Sequence, residues 1–238
     1  MESALLNWLS RPQIQRLLKV ETRHLERNLP QLHGHYLLQY SGVNHQAIKN
    51  SSLSYQYYAS RQGVGDLIMD YESIPLRENS IDCVLMHHVL EFETSPHQCL
   101  REAARVVVPN GYLVIVGFNP ISIWGLTRYL PRNNTPPGAQ FLSKYRLSDW
   151  LSLLDFRIEQ VETFQAMPPV GLKYFRRFGL RLDKTLSYIG NPFGTVYLIV
   201  ARKLVAGRTP IRPQWRALSG GRLPMPTPRV GEFRVSKR

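Results

Sequence analysis

The stretch "YLVIVGF" (Tyr112 to Phe118) constrains this chain most, because it is apolar along its whole length. Successive side chains on a strand point to opposite faces, so such a run has to be covered on both sides. Strands of this kind lie inside parallel sheets that carry helices on either face. A second buried strand is predicted at about Ile81–Met86, inside "SIDCVLMHHVL". The segment between them, "SPHQCLREAARVV", carries a helix-start pattern: Ser95 as cap, Pro96 in the first helical position and Gln98 closing a capping box. Leu100, Ala103, Ala104 and Val107 form its apolar face, and "PNG" (Pro109 to Gly111) is predicted to stop it. Strand, helix and strand in this order make a crossover unit, and repeated alternation predicts a doubly wound α/β fold.

The remaining elements fit around that unit. Residues 1–32 read as a helical N-terminal extension, with Leu5, Leu6, Leu9, Ile14, Leu17, Leu18 and Leu25 at three-to-four spacing. Pro12 is predicted to split it, with Ser10 capping the second part. Strands are expected at about Tyr36–Tyr40 and Leu53–Tyr58, and a third, "GDLIMD", ends at Asp70. After Phe118 come a helix "NPISIWGLTRYL", a loop from Pro131 to Gly138, a helix "RLSDWLSLL", a strand "FRIEQVETF" and a last strand from Thr195 to Lys203. The α/β domain is thus placed at 33–204, with a helical insertion at about 164–194. In that insertion Leu172, Phe175, Leu182 and Leu186 fall opposite Lys173, Arg176, Arg177, Arg181 and Lys184, a basic amphipathic helix over 171–186.

With 238 residues, 43% of them apolar, the chain can build one full-sized α/β domain. Its net charge of +13 is uneven: residues 205–238 hold eight Lys/Arg against Glu232 alone, so they carry +7. With five prolines and four glycines, this reads as a basic, mostly disordered tail. The tail and the 171–186 helix are the candidate contacts for nucleic acid or an anionic surface; a solubilising tail is the other reading. The only cysteines are Cys83 and Cys99, both in apolar surroundings, which suits reduced thiols in the cytoplasm. No apolar run is long enough to cross a bilayer, and the N-terminus lacks the basic start and cleavage site of a secretory signal. No cysteine–histidine pair has zinc-ligand spacing, so no metal is expected.

The stretch from Leu67 to Pro120 resembles the class I S-adenosylmethionine (SAM) dependent methyltransferases, and within them the group known as methyltransferase type 11. "DYESIPL" and "NSIDCVL" stand where that group has an acid, Leu-Pro-Phe and Ser-Phe-Asp before its fourth strand. "VLEF", "REAARVVVPNG" and "YLVIVGF" follow in the family's order, and "RLSDWLSLLDFRIEQVETF" resembles its last helix and sixth strand. "GFNPISIWGL" and "TPIRPQW" further resemble a set of proteobacterial methyltransferase-like proteins. The resemblance implies a seven-stranded Rossmann-like sheet, parallel except for strand seven, with SAM bound at the carboxyl ends of the strands.

The same resemblance nominates site residues. Asp70, with Tyr71 beside it, takes the place of the carboxylate that accepts the adenine amino group. At the first strand, Gln39 stands where the family has an acid, and of the family's glycine loop Ser41 and Gly42 hold the place with a single glycine. No acid follows strand two before Asp66, so Gln56 or Ser60 would have to serve the ribose as neutral partners. His87 and His88 fall at the cofactor's methionine end and the substrate mouth. They are the candidate catalytic residues if the acceptor must lose a proton, and His87 also a cofactor contact. The other reading is a half-buried pair with one ring satisfied in the core. Phe92 replaces the family's histidine, while Glu91 remains. "FNPIS" (Phe118 to Ser122) is similar to the Asn-Pro-Pro-aromatic motif but follows strand five, with Ile121 at the second proline. About eleven residues separate strands one and two, so the crossover helices there are expected to be stunted or replaced by loops. The expectation is a SAM-dependent methyltransferase of unknown acceptor with an altered cofactor loop. The alternative is a catalytically inactive methyltransferase-like binding module acting on nucleic acid, protein or an anionic membrane surface.

Overall fold

A computed structural model of the chain describes residues 2–29, 32–43, 45–48, 53–61, 65–122, 125, 136–164 and 194–204. The expected basic helix at 171–186, most of "NPISIWGLTRYL" and its following loop, and the basic tail lie outside these residues. Two helices open the chain, α1 (Glu2–Leu9) and α2 (Pro12–Asn28). Next come β1 (Tyr36–Ser41), β2 (Tyr55–Ser60), β3 (Leu67–Ile68) and β4 (Ile81–His87). Helix α3 (Pro96–Val106), β5 (Val107–Phe118), α4 (Lys144–Leu153), β6 (Phe156–Phe164) and β7 (Val196–Lys203) complete the described elements.

The strands form one seven-stranded sheet in the order β3-β2-β1-β4-β5-β7-β6. The pairs from β3 to β5 are all parallel, while β7 runs antiparallel between β5 and β6. The expected doubly wound sheet is therefore present, with its order reversing between β1 and β4. "YLVIVGF" lies where its two-sided apolarity requires, in β5 between β4 and β7, with every residue from Tyr112 to Phe118 buried.

Each face of the sheet has its own core. Helices α3 and α4 cover one face, packing Leu100, Ala103, Leu147 and Leu151 against Leu38, Val84, Met86, Leu113 and Ile199. The other face is covered from the N-terminus: Trp8, Ile14, Leu17, Leu18 and Leu25 pack on Leu37, Leu85, Val114, Val116 and Leu198. Among the described residues no helix lies between β1 and β2 or between β2 and β3. Val43, Ala47, Ile48 and Leu53 of the first connection join the same core as coil. The N-terminal helices thus do the covering that crossover helices would otherwise provide, and they are part of the domain core.

Local signals held unevenly. Pro12 starts α2, but the residue ahead of it is Arg11, and the Ser10 hydroxyl donates back to the Asn7 carbonyl. Ser143 does cap α4, accepting from the Arg146 amide at 3.3 Å. Ser95 precedes α3 without a side-chain cap bond. That helix ends before "PNG", because Val107 already pairs with Ile81 and starts β5. Residues 108–111 then bulge out of the register before Tyr112 pairs with Cys83, with Asn110 at φ 64°. Strand β2 begins two residues later than the sequence suggests, at Tyr55, whose ring stacks on Tyr36 of β1 at 5.2 Å.

Because α2 covers a whole face, trimming its contact should be costly. Leu17 is fully buried, and Leu17→Ala is expected to lower stability by about 2–5 kcal/mol. Urea unfolding would check this; a loss under about 1 kcal/mol, the range of exposed positions, would mean that α2 does not share the domain core.

Candidate functional site

The carboxyl ends of β1, β2, β3 and β4 meet at the switch in strand order, where doubly wound sheets bind ligands. Parallel pairing sets Ser41, the last residue of β1, beside His87, the last of β4. The Ser41 hydroxyl lies 3.1 Å from His87 Nδ1, and the Gly42 amide donates to the His87 carbonyl at 3.0 Å. Tyr71, just beyond β3, donates its hydroxyl to the Ser41 carbonyl at 3.3 Å. Gln39 is buried one turn of the pleat earlier, and its Oε1 accepts from the Ile48 amide at 3.0 Å. The structure thus brings Ser41, Gly42, Tyr71 and His87 together, with Gln39 holding the coil that follows β1.

Gly42 has a packing reason to be glycine. A Cβ there would collide with the His88 carbonyl oxygen and lie 2.9 Å from Phe92 Cδ2. The β1 turn is therefore pressed onto the end of β4 by protein atoms.

Both histidines are fully buried, and neither is turned toward an open mouth. Their partner is Glu21 of α2, also fully buried. Glu21 Oε2 lies 2.9 Å from His87 Nε2, and Oε1 lies 3.2 Å from His88 Nε2. His88 Nδ1 faces Glu91 Oε1 at 3.3 Å, and that oxygen also accepts from the Phe118 amide at 2.7 Å. His88 stacks on Phe118 with ring centres 3.9 Å apart. A base must reach the proton it removes, so this geometry corrects the expectation of a substrate-facing pair. It also exceeds the half-buried alternative, since both rings are enclosed.

Burial and charge divide the protonation of this cluster. Burial alone would raise the Glu21 carboxyl, but the charge of His88, 3.2 Å away, and the hydrogen bond with His87 hold it well below the carboxylate range. Burial pushes His87 down to about 4, against its hydrogen bond with Glu21. For His88 burial is outweighed by the nearby Glu21 charge and by the bond to Glu91, and it is pushed up to about 9. Glu21 is the residue that sequence reading missed. It lies on the buried stripe of α2 with Ile14, Leu17, Leu18 and Leu25, and an acid on such a stripe was the available signal.

Asp70 stands apart from the histidines, exposed at the end of β3. The Glu72 amide and the Arg61 guanidinium, 2.7 Å away, keep its carboxyl below the usual range. Arg61 follows β2 directly and also binds the buried Glu93 at 2.8 Å, with its guanidinium 5.2 Å over the Tyr71 ring. Where the resemblance expects a ribose acid or a neutral substitute, the end of β2 therefore carries a cation. Gln56 lies in the body of β2, half-buried, and Ser60 is buried at its end. Asn119 does not open a pocket: it donates to the Gly194 carbonyl and accepts from the Ile121 amide, a turn-forming role.

Comparison with known proteins places this architecture. Residues 35–115 match the model of a methyltransferase domain. The uncharacterized protein YafS of Escherichia coli K12 is 33% identical over 193 residues, covering 78% of this chain and 77% of that protein. A SAM-dependent methyltransferase of Thermotoga maritima superposes with a TM-score of 0.61 at 18% identity, over 85% of this chain and 100% of the other. One from Archaeoglobus fulgidus gives 0.55 at 16%, over 78% and 94%. The [4+2]-cyclase SpnF gives 0.56 at 15%, over 81% and 82%, so the fold alone does not fix the reaction. The chain belongs to the class I SAM-dependent methyltransferases, through their methyltransferase-domain family. SAM is that family's cofactor. Just beyond β3 the exposed carboxylate of Asp70 is the group that could meet its adenosine, and the one glycine of the β1 turn, Gly42, is packed against the end of β4.

Two substitutions test this account. Removing one partner of a buried ion pair leaves the other uncompensated, so Glu21→Ala should cost about 3–5 kcal/mol by urea unfolding; a cost below about 1 kcal/mol would show that the cluster is not formed. Gly42→Ala should lose about 1–3 kcal/mol in the absence of any cofactor. If Gly42→Ala instead leaves the free protein unchanged and affects only SAM affinity, Gly42 is a ligand-cradling glycine.

Proposed function

We propose that this chain is a methyltransferase with an altered cofactor loop, which holds SAM from its adenosine side. The observation that carries the reading is Asp70: an exposed carboxylate at the carboxyl end of β3, steadied by Arg61 and the Glu72 amide. There it would accept from the adenine amino group. Arg61 and Glu93, next to it, would meet the ribose as a bound pair in place of the usual single acid. Ser41 and Gly42 would border the cofactor along the β1 turn, with Gln39 and Tyr71 supporting that turn from within. SAM, when bound, supplies a methyl group on a sulfonium for in-line transfer, so the protein's task is chiefly positioning.

The enclosed state of His87 and His88 bears on the acceptor. With all four ring nitrogens facing Ser41, Glu21 or Glu91, the pair would act by fixing the ends of β1 and β4. The reading therefore favours an acceptor that attacks without prior proton loss to these rings. A reducing compartment, the cytoplasm, suits the two free, buried thiols Cys83 and Cys99. Among the described residues no helix is long and apolar enough to cross a membrane.

Calorimetric titration with SAM and with S-adenosylhomocysteine tests the proposal. Binding is expected for the unmodified chain, with affinity falling about tenfold in Asp70→Ala, the worth of one charge-assisted hydrogen bond. Unchanged affinity in Asp70→Ala would move the adenine elsewhere. Absence of heat at millimolar ligand would leave the fold as a binding module, the reading that the packed β1 turn would then favour.

A further inference from the structure

We propose that Glu21, His87 and His88 form a binding site for a zinc-class divalent transition metal, built between α2 and the end of β4. Nothing in this inference depends on the cofactor reading. The donor atoms, one carboxylate oxygen and two imidazole Nε2, all lie within 4.8 Å of one another and are fully buried. Tetrahedral zinc with bonds of about 2.0–2.1 Å separates its ligand atoms by roughly 3.3 Å. The Glu21–His87 and Glu21–His88 separations of 2.9 and 3.2 Å are close to that value. The three residues thus offer three of the four ligands of a tetrahedral site.

Three further features point to a cation and not to a chance contact. First, His88 lies just beyond the end of β4, and both rings reach the same carboxylate, with centres 4.6 Å apart. His88 achieves this by adopting φ 50°, a left-handed conformation rare for a residue with a Cβ and typical of functional positions. Second, each ring is oriented through its other nitrogen: His87 Nδ1 meets the Ser41 hydroxyl, and His88 Nδ1 meets the Glu91 carboxylate. Metal-bound histidines are held in this way, with the outer partner fixing the tautomer and leaving Nε2 for the ion. Third, Glu21 Oε1 and His88 Nε2 are buried, 3.2 Å apart and without a hydrogen bond of acceptable geometry. A dication held between them would satisfy both atoms and balance the two carboxylates, Glu21 and Glu91.

The second clustering of possible ligands, Glu72, Glu93 and Cys99, does not compete. Arg61 already neutralises Glu93, and burial pushes the Cys99 thiol up to about 12, away from the thiolate a metal needs. Spacing along the chain hid the first site, because 66 residues separate Glu21 from His87. Its enclosure by Phe118, which stacks on His88 and meets Trp8 edge-on, suits a structural ion joining α2 to the sheet.

Untagged full-length protein from cells grown with zinc, purified without chelator, should retain about one zinc per chain after dialysis, read by elemental mass spectrometry. Cobalt(II) loaded into the stripped protein should give the intense visible bands of a tetrahedral site. His88→Ala and Glu21→Gln should lose the metal, whereas Glu162→Gln and Cys99→Ser should keep it. Should either ligand variant fail to fold, the unmodified chain still decides. Its melting temperature should fall on chelation and return with added zinc. Protein that is metal-free as purified, takes up neither zinc nor cobalt, and melts identically with and without chelator would overturn the site.

Discussion

The contact between Glu21 and the paired histidines governs how this domain is assembled. A carboxylate on the apolar stripe of a helix must be compensated where it lands, since desolvating it costs several kcal/mol. The compensation sits at one place only in the described fold, the end of β4. This fixes the axial position of α2 in a way that Leu17, Leu18 and Leu25 alone would not, because leucines accept many registers on an apolar face. A shift by one helical turn would bring an apolar side chain to the imidazoles and move Glu21 onto hydrophobic sheet. The far end of α2 is fixed by a second polar set: His24, which stacks on Phe164, and Asn28 both reach Glu162 of β6. The helix is thus pinned at its middle and at its C-terminal end and lies across the sheet from β4 to β6.

That placement resolves a difficulty created by the short links around β2. Thirteen residues join β1 to β2, barely the dozen that a crossover needs, and six join β2 to β3, too few for one. The uncovered face is completed by α1 and α2, which arrive first along the chain. The β1 turn, freed from leading into a helix, folds down onto β4. Its glycine serves close contact with the His88 carbonyl and the Phe92 ring, where in the wider family the resemblance assigns glycines to the ligand. The same residue type at the same place in the fold thus answers a different steric demand.

The middle of the fold was legible in the sequence because its signals are redundant. "YLVIVGF" and "SIDCVLM" are apolar on both faces, and Pro96 fixes a helix start between them, so strand, helix and strand agree. What could not be read was any feature set by partners distant in the chain. Val107 belongs to the apolar pattern of α3, but pairing with Ile81 draws it into β5 and ends the helix early. Tyr55 begins β2 because β1 offers a partner there, and the Tyr36 ring stacks on it. The histidines were visible as candidates, yet their enclosure depends on an acid 66 residues upstream. The position of Asp70, exposed just after β3, was legible in the sequence. Arg61 was not, since nothing local announces which acids it will bind.

Arg61, Asp70 and Glu93 form one charge cluster at the ends of β2 and β3. An acid at the end of β2 would stand beside Asp70 and Glu93, three carboxylates with no cation among them. Burial already raises the Glu93 carboxyl above its ordinary range even with the guanidinium in contact. Removing that cation would leave a buried acid to be protonated or expelled. The arginine therefore follows from the presence of Glu93, and Glu93 from the need to hold a half-exposed guanidinium over Tyr71. Tyr71 in turn bonds the Ser41 carbonyl and packs on Tyr40, its ring centre 4.8 Å away. The chain of contacts thus runs from the end of β2 to the end of β1 without interruption. An acid at position 61 would therefore disturb the support of the β1 turn as well as the charge at the end of β2.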